Sequence, residues 1–200
     1  MHSAMHIQRG ITLMEMLITM TIAVILLTVG VPSFIDMVAA NKASGYANDL
    51  LSDINLARSE AITRGNRVVI CKGPTGTGCT TGNWEDGWKV FVDCDDNQTV
   101  DAGADSTCPN AADEEVLRVH AALTGGWTLR GGGNAVNRIT FLPDGRTGNN
   151  DTLVVCKDGV LNSGNQTRSS AVVVNTTGRA RVVADSNKDG VPDGVADCNL

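Results

Sequence analysis

The apolar run from Ile11 to Val31 limits this chain more than any other stretch. Its twenty-one residues hold a single charge, Glu15, and they follow a polar leader that ends Gln8-Arg9-Gly10. At about 1.5 Å per residue, a helix of this length crosses the roughly 30 Å hydrocarbon core of a bilayer. A carboxylate at that depth costs about 3 kcal/mol unless it is paired or protonated. Glu15 therefore calls for a partner. A secretory signal peptide explains the run less well, because its apolar part spans about 7–15 residues and ends at a small-residue cleavage site. A plain anchor leaves both Glu15 and the glycine boundary without a reason.

Compartment follows from the charges and cysteines on either side of the run. Arg9 and the amino terminus form a positive flank that stays cytoplasmic, which sends the rest of the chain across the membrane in a single pass. Cys71, Cys79, Cys94, Cys108, Cys156 and Cys198 all lie beyond the run. An even count on one side points to an oxidising compartment and a disulfide framework. Fifteen pairings are possible; closure of nearest neighbours suggests Cys71 with Cys79, Cys94 with Cys108, and Cys156 with Cys198. A zinc site has little support, since no C-x-x-C pair occurs. The formal charge is −6, and removal of a leader containing Arg9 makes it more negative, so any nucleic-acid role has to be local.

Along the chain, residues 1–10 read as leader, 11–31 as membrane-spanning helix, 32–65 as its amphipathic continuation and 66–200 as one β-rich domain. Pro32 removes a helical donor and predicts a kink or local loosening. Beyond it, Tyr46, Leu50, Ile54, Ala57 and Ala61 recur at spacings of three and four, which marks one buried stripe. Asp49, Asp53, Arg58 and Arg64 fall off that stripe and suit solvent. Gly65-Asn66 supplies the stop. If continuous, such a helix is about 80 Å long, more than one globular core covers, so its first half needs burial in membrane or among neighbouring subunits. After Gly65, short β-rich runs begin at Arg67, Trp88, Val116, Trp127, Arg138, Leu153, Ala171 and Ala180, separated by clusters of Gly, Asn, Asp and Pro. Strands without intervening helices predict an antiparallel sheet, in two layers, covered by the amphipathic helix.

These residues support a resemblance at two levels. Arg9-Gly10 followed by Ile11-Thr12-Leu13-Met14-Glu15-Met16-Leu17 resembles the class III signal of type IV prepilins and type II secretion pseudopilins. The resemblance implies a prepilin peptidase that cuts between Gly10 and Ile11 and methylates the new amine, with Ile11 standing where the family more often has Phe. It also implies that Glu15 pairs with the terminal amine of a neighbouring subunit. Farther on, Ala57-Arg58-Ser59-Glu60-Ala61, Val69-Ile70-Cys71, Gly87-Trp88-Lys89-Val90-Phe91-Val92-Asp93, Ile139-Thr140-Phe141-Leu142-Pro143-Asp144-Gly145 and Thr177-Gly178-Arg179-Ala180-Arg181 resemble the GspH/FimT group. That group implies an α+β type IV pilin fold, a long N-terminal helix packed on antiparallel β-sheets. It also implies a low-abundance subunit that helps initiate or cap a filament in the inner membrane, with other pilins as partners and a periplasmic C-terminal domain. The cysteine count and the Thr-Gly-Arg-x-Arg ending lie closer to its FimU/FimT pilus branch than to the pseudopilin H of type II secretion. A DNA-binding minor pilin of natural transformation is a further alternative.

Few residues suggest chemistry of their own. His2 and His6 belong to the leader and His120 ends a strand, so no Ser-His-Asp or Cys-His set assembles and no enzyme is expected. Arg179 and Arg181, two apart on a strand, project from one face and could grip successive phosphates; in FimT proteins of natural transformation a matching Gly-Arg-x-Arg element is implicated in DNA binding. Arg146 and Arg168 are candidates to enlarge that patch. The only cofactor suggested is calcium. Asp185, Asn187, Asp189 and Asp193 stand at positions one, three, five and nine of an EF-hand-like loop with Gly190 at six, although Ala196 replaces the glutamate at twelve. A looser echo lies at Asp93, Asp95, Asn97 and Asp101.

Overall fold

The computed structural model describes residues 11–76, 78–101, 108, 114–159, 162–163, 166–167, 169–183 and 191–198. One helix, α1 (Leu13–Arg64), is followed among the described residues by β1 (Arg67–Lys72), β2 (Trp88–Asp93), β3 (Val116–His120), β4 (Trp127–Gly132), β5 (Arg138–Phe141), β6 (Asp151–Lys157), β7 (Asn162–Ser163), β8 (Gln166–Thr167), β9 (Ser169–Val174) and β10 (Ala180–Val182). All eight strands read from the sequence are present. The β7–β8 hairpin is an addition, and its polar residues carry no apolar alternation that could announce it. The chain divides into two compact units, Met1–Val38 and Ala39–Leu200.

In the first unit the described side chains face outward, apart from a half-buried Asp36. Thr12 caps α1: its Oγ1 accepts the Glu15 N–H at 3.2 Å, which satisfies one of the orphan donors of a helix start. The hydroxyls of Thr19, Thr21 and Thr28 donate back to the carbonyls of Met16, Leu17 and Ile25 at 3.0, 2.7 and 2.9 Å. No polar side chain between Leu17 and Val31 is thus left without a partner, which is the condition for helix in hydrocarbon. Helical structure continues through Pro32.

In the second unit α1 buries Ala39, Ala43, Ala47, Leu50, Ile54, Ala57 and Ala61 on one stripe. Five of the seven are alanine, so the helix backbone can approach the sheets closely. Leu50 and Ile54, both fully buried, are each worth about 1.5–3 kcal/mol of hydrophobic burial. The helix ends at Gly65, whose φ of 66° is left-handed and whose N–H reaches the Ala61 carbonyl at 3.0 Å; this single bond closes the helix at little steric cost because glycine has no Cβ.

The strands form two four-stranded antiparallel sheets, ordered β3-β2-β1-β5 and β10-β9-β6-β4. Val68, Ile70, Trp88, Val90 and Phe141 of the first sheet and Leu129, Leu153, Val155, Val172 and Val174 of the second share one core with the α1 stripe. The opposite faces are covered as well. Val69, Cys71 and Phe91 pack with Cys79, while Val154, Cys156 and Ala171 pack with Val183, Val195 and Cys198. This double coverage explains why β1 and β6 read as continuous apolar runs rather than alternating ones. The fold is α+β, one long N-terminal helix and two antiparallel sheets.

Candidate functional site

The N-terminal elements come first. Gly10 lies outside the described residues. Ile11 is 78% exposed. Thr12-x-x-Glu15 has the spacing of a capping box, yet only the Thr12 half is formed, and the Glu15 carboxylate makes no return bond or ion pair among the described residues. No lysine or arginine occurs between Ile11 and Lys42, so a cationic partner for Glu15 has to come from elsewhere. By length and composition α1 is apolar enough to cross a membrane.

Three of the sequence motifs meet at one place. Arg58 Nε donates to the Gly145 carbonyl at 3.0 Å. Gly178, with φ of 74°, sits so close to the same carbonyl that a Cβ would overlap it. The Thr147 N–H donates to the Thr176 carbonyl at 3.2 Å. The Ala57-Arg58, Asp144-Gly145 and Thr177-Gly178 segments thus form one junction joining α1 to the loops after β5 and β9. Arg58 is half-buried here, which corrects its assignment to solvent: a long side chain beside the stripe reaches a buried carbonyl.

Immediately after this junction, Arg179 and Arg181 are both exposed while Ala180 and Val182 are half-buried. β10 is an edge strand, and neither guanidinium makes an ion pair among the described residues. Arg179 is held through its backbone, whose N–H donates to Asn175 Oδ1 at 2.9 Å. Arg146 is exposed but engaged with Asp144 at 2.6 Å; the Arg146 N–H and guanidinium hold the Asp144 carboxyl below its ordinary range. Arg168 lies outside the described residues.

A polar cluster missed in the sequence reading centres on Asp53. Its carboxylate is 2% exposed, accepts the Trp88 Nε1–H at 2.8 Å and binds Arg118 Nη1 at 2.6 Å. Asp53 therefore faces the core rather than solvent: Trp88, on the inner face of β2, needs an acceptor for its indole. His120 stacks on the Trp88 ring with centroids 3.8 Å apart and Nε2 3.7 Å from Asp49. This is a structural histidine. Asp49 and Arg64 are exposed, as their helical positions imply, and Arg64 pairs with Glu60 and Glu115.

The cysteines pair as Cys71–Cys79, Cys94–Cys108 and Cys156–Cys198. The first closes the loop over buried Lys89, whose Nζ donates to the carbonyls of Gly76 and Gly78 at 2.7 and 3.1 Å, while burial lowers its pKa. Of the calcium candidates, Asp185, Asn187 and Asp189 lie outside the described residues, and Asp193 occupies the turn before Gly194. In the earlier echo, Asn97 Nδ2 donates to Asp95 at 2.7 Å and Asp101 at 2.6 Å. The acidic residue that joins Asp93 and Asp95 is instead Glu114, which no local spacing could identify.

Comparison with known proteins completes the picture. Residues 46–178 match the family model described as type II transport protein GspH, and residues 5–31 match the prokaryotic N-terminal methylation motif. No curated protein sequence matches significantly. Among solved structures, the type IV minor pilin FimU of Pseudomonas aeruginosa is similar in one crystal form at TM-score 0.53 and 18% identity, over 80% of this chain and 96% of that one. In a second form the values are 0.50, 20%, 78% and 98%. The minor pseudopilin EpsH of Vibrio cholerae aligns at TM-score 0.42 and 15% identity, over 72% and 98%. The fold is that of type IV pilins, and with a family model that spans the stripe from Tyr46 onward and nearly all of the sheets, the chain belongs to the family described as type II transport protein GspH.

Proposed function

We propose that this chain is a minor type IV pilin, made as a prepilin in the inner membrane and taken into a pilus at its initiation. The carrying observation is Glu15, the only charge in the exposed apolar run 11–31, with no basic residue between Ile11 and Lys42. The steps follow from that. Residues 11–31 hold the prepilin in the membrane as a single pass, with the sheets in the periplasm. The prepilin peptidase cuts between Gly10 and Ile11 and methylates the Ile11 amine. Glu15 of one subunit then pairs with the terminal amine of its neighbour, which removes the cost of an isolated charge at bilayer depth, and the apolar helix passes from lipid contacts to contacts with other pilins.

The test is incorporation. Glu15→Ala is expected to leave the chain membrane-bound but absent from sheared pili; equal recovery of variant and wild type in the pilus fraction contradicts the docking role. The family description favours a second assembly setting, the pseudopilus of type II secretion. Deleting the chain's gene separates the two: loss of surface pili supports the pilus reading, and loss of exoprotein export with intact pili supports the other.

Arg179 and Arg181 favour a further role in DNA binding, since both are exposed, one just before and one within the edge strand β10, and neither makes an ion pair among the described residues. Binding through phosphates is salt-dependent. Arg179→Ala with Arg181→Ala is expected to abolish a DNA shift by the purified chain that weakens as salt rises. A shift insensitive to salt, or retained by the double variant, contradicts this role.

A further inference from the structure

The end of β2 carries a buried charge that the described residues leave uncompensated. Asp93 is fully buried, and neither carboxylate oxygen has a hydrogen-bond partner among the described residues. The Asp96 N–H lies near it without reaching hydrogen-bond geometry, and its effect is outweighed: burial first, then the charge of Glu114, pushes Asp93 up to about 6. Burial raises Glu114 as well. One carboxylate oxygen from each of Asp93, Asp95 and Glu114 lies within 4.8 Å of the other two. The neighbouring cation does not resolve this, because Arg67, opposite Asp93 in the β1–β2 register, pairs with Asp96 at 3.3 Å. Buried charges are paired or coordinate metals.

The other two carboxylates are held in place. Glu114 accepts the N–H groups of Cys94 at 2.7 Å and Asp101 at 3.1 Å. Asp95 accepts the N–H and Nδ2 of Asn97 at 3.0 and 2.7 Å. A carboxylate oxygen has two lone pairs, so each of these retains acceptor capacity for a cation beside Asp93. The Cys94–Cys108 disulfide closes the segment that carries Asp95, directly after Asp93. Asp95 is exposed, which gives entry from solvent and room for water ligands.

We infer that Asp93, Asp95 and Glu114 form a binding site for a hard divalent cation, with calcium as the fitting ion. The donors are all carboxylate oxygens, and the nearby cysteines are oxidised, which excludes the thiolate sites favoured by zinc. Three carboxylates binding through one or two oxygens each, completed by water, meet the variable coordination of calcium better than the strict octahedron of magnesium. The ion would join the end of β2 to the residue leading into β3.

The test uses the mature full-length chain in detergent, stripped with EDTA and titrated with calcium chloride by calorimetry. A dissociation constant of roughly 10⁻⁴–10⁻³ M is expected, in the range of extracellular calcium modules, with a higher melting temperature in calcium and weaker binding of magnesium. Asp95→Asn and Glu114→Gln are each expected to weaken calcium binding about tenfold or more. Because residues 185–193 have calcium-loop spacing of their own, Asp189→Asn is measured alongside and is expected to leave this binding in place. Asp93→Asn removes the charge that the fold must bury, so in EDTA it should melt no lower than wild type and show no calcium response at this site. The inference is overturned by any of three results: no binding at millimolar calcium, binding unchanged in both Asp95→Asn and Glu114→Gln, or an Asp93→Asn chain that melts well below wild type in EDTA.

Discussion

Replacing Asp53 by alanine tests how the helix is joined to the first sheet. The carboxylate is 2% exposed and serves two donors, Trp88 Nε1 at 2.8 Å and Arg118 Nη1 at 2.6 Å. Trp88 is fully buried, so loss of its acceptor leaves an indole N–H without a partner, at a cost of about 1–3 kcal/mol. Arg118 is different, because its side chain is 47% exposed and water can replace the carboxylate; that pair contributes at most about 1 kcal/mol. Asp53→Ala should therefore cost about 1–4 kcal/mol in all, centred near 2. Asp53→Asn keeps an acceptor for the indole and should lose only the ion pair, about 1 kcal/mol or less. The assay is urea unfolding of the mature chain in detergent, followed by tryptophan fluorescence. With a slope of about 2 kcal/mol/M, the alanine midpoint falls by about 1 M. A fall under about 0.2 M, or equal costs for the two variants, would refute the view that an indole hydrogen bond is what keeps Asp53 in the core.

Other predictions follow from the same packing. Gly178→Ala should cost distinctly more than Gly159→Ala: both glycines have φ near 70°, 74° and 72°, and share a strain cost of about 1–2 kcal/mol, but a Cβ at Gly178 also meets the Gly145 carbonyl whereas that at Gly159 meets nothing among the described residues. Equal unfolding midpoints for the two variants would contradict the close approach at the junction. Asp151 is buried with Oδ1 unpartnered among the described residues, and burial raises its pKa above the ordinary 3.8 against the opposing N–H groups of Asn134 and Ala135. The folded chain then holds this proton more tightly than the unfolded one, so stability falls as pH rises from the ordinary value through the folded one, and the penalty persists at neutral pH. Asp151→Asn should remove that part of the slope; wild-type and variant profiles that run parallel from pH 4 upward contradict the assignment.

Much of this architecture is legible in the sequence because its signals are local. The strands are β-branched and aromatic runs between Gly, Asn, Asp and Pro clusters, and the helix stop needs only Gly65. What the sequence hides depends on distant partners. Asp53 adjoins Ile54 at the margin of the stripe, and only the arrival of Trp88 from β2 makes its burial favourable. Ala39 and Ala43 extend the stripe N-terminal to Tyr46 and Ala47 adds to it, but alanine is too weakly apolar to mark a face. Glu114 belongs with Asp93 and Asp95 although it follows them only after the Cys94–Cys108 disulfide has closed. The Thr-Gly-Arg motif suggests a binding surface from its arginines alone; the structure adds a packing role for its glycine, which meets the Asp-Gly turn and Arg58.

The central claim is that residues 1–10 are removed as a leader and that Ile11 becomes the assembling end of the subunit. Mass spectrometry of the chain recovered from sheared filaments tests this most directly. The predicted result is an N-terminal peptide that starts at Ile11 and carries one methyl group on its amine. A chain that retains Arg9-Gly10, or one cut within or after the apolar run so that Glu15 is lost, contradicts the account.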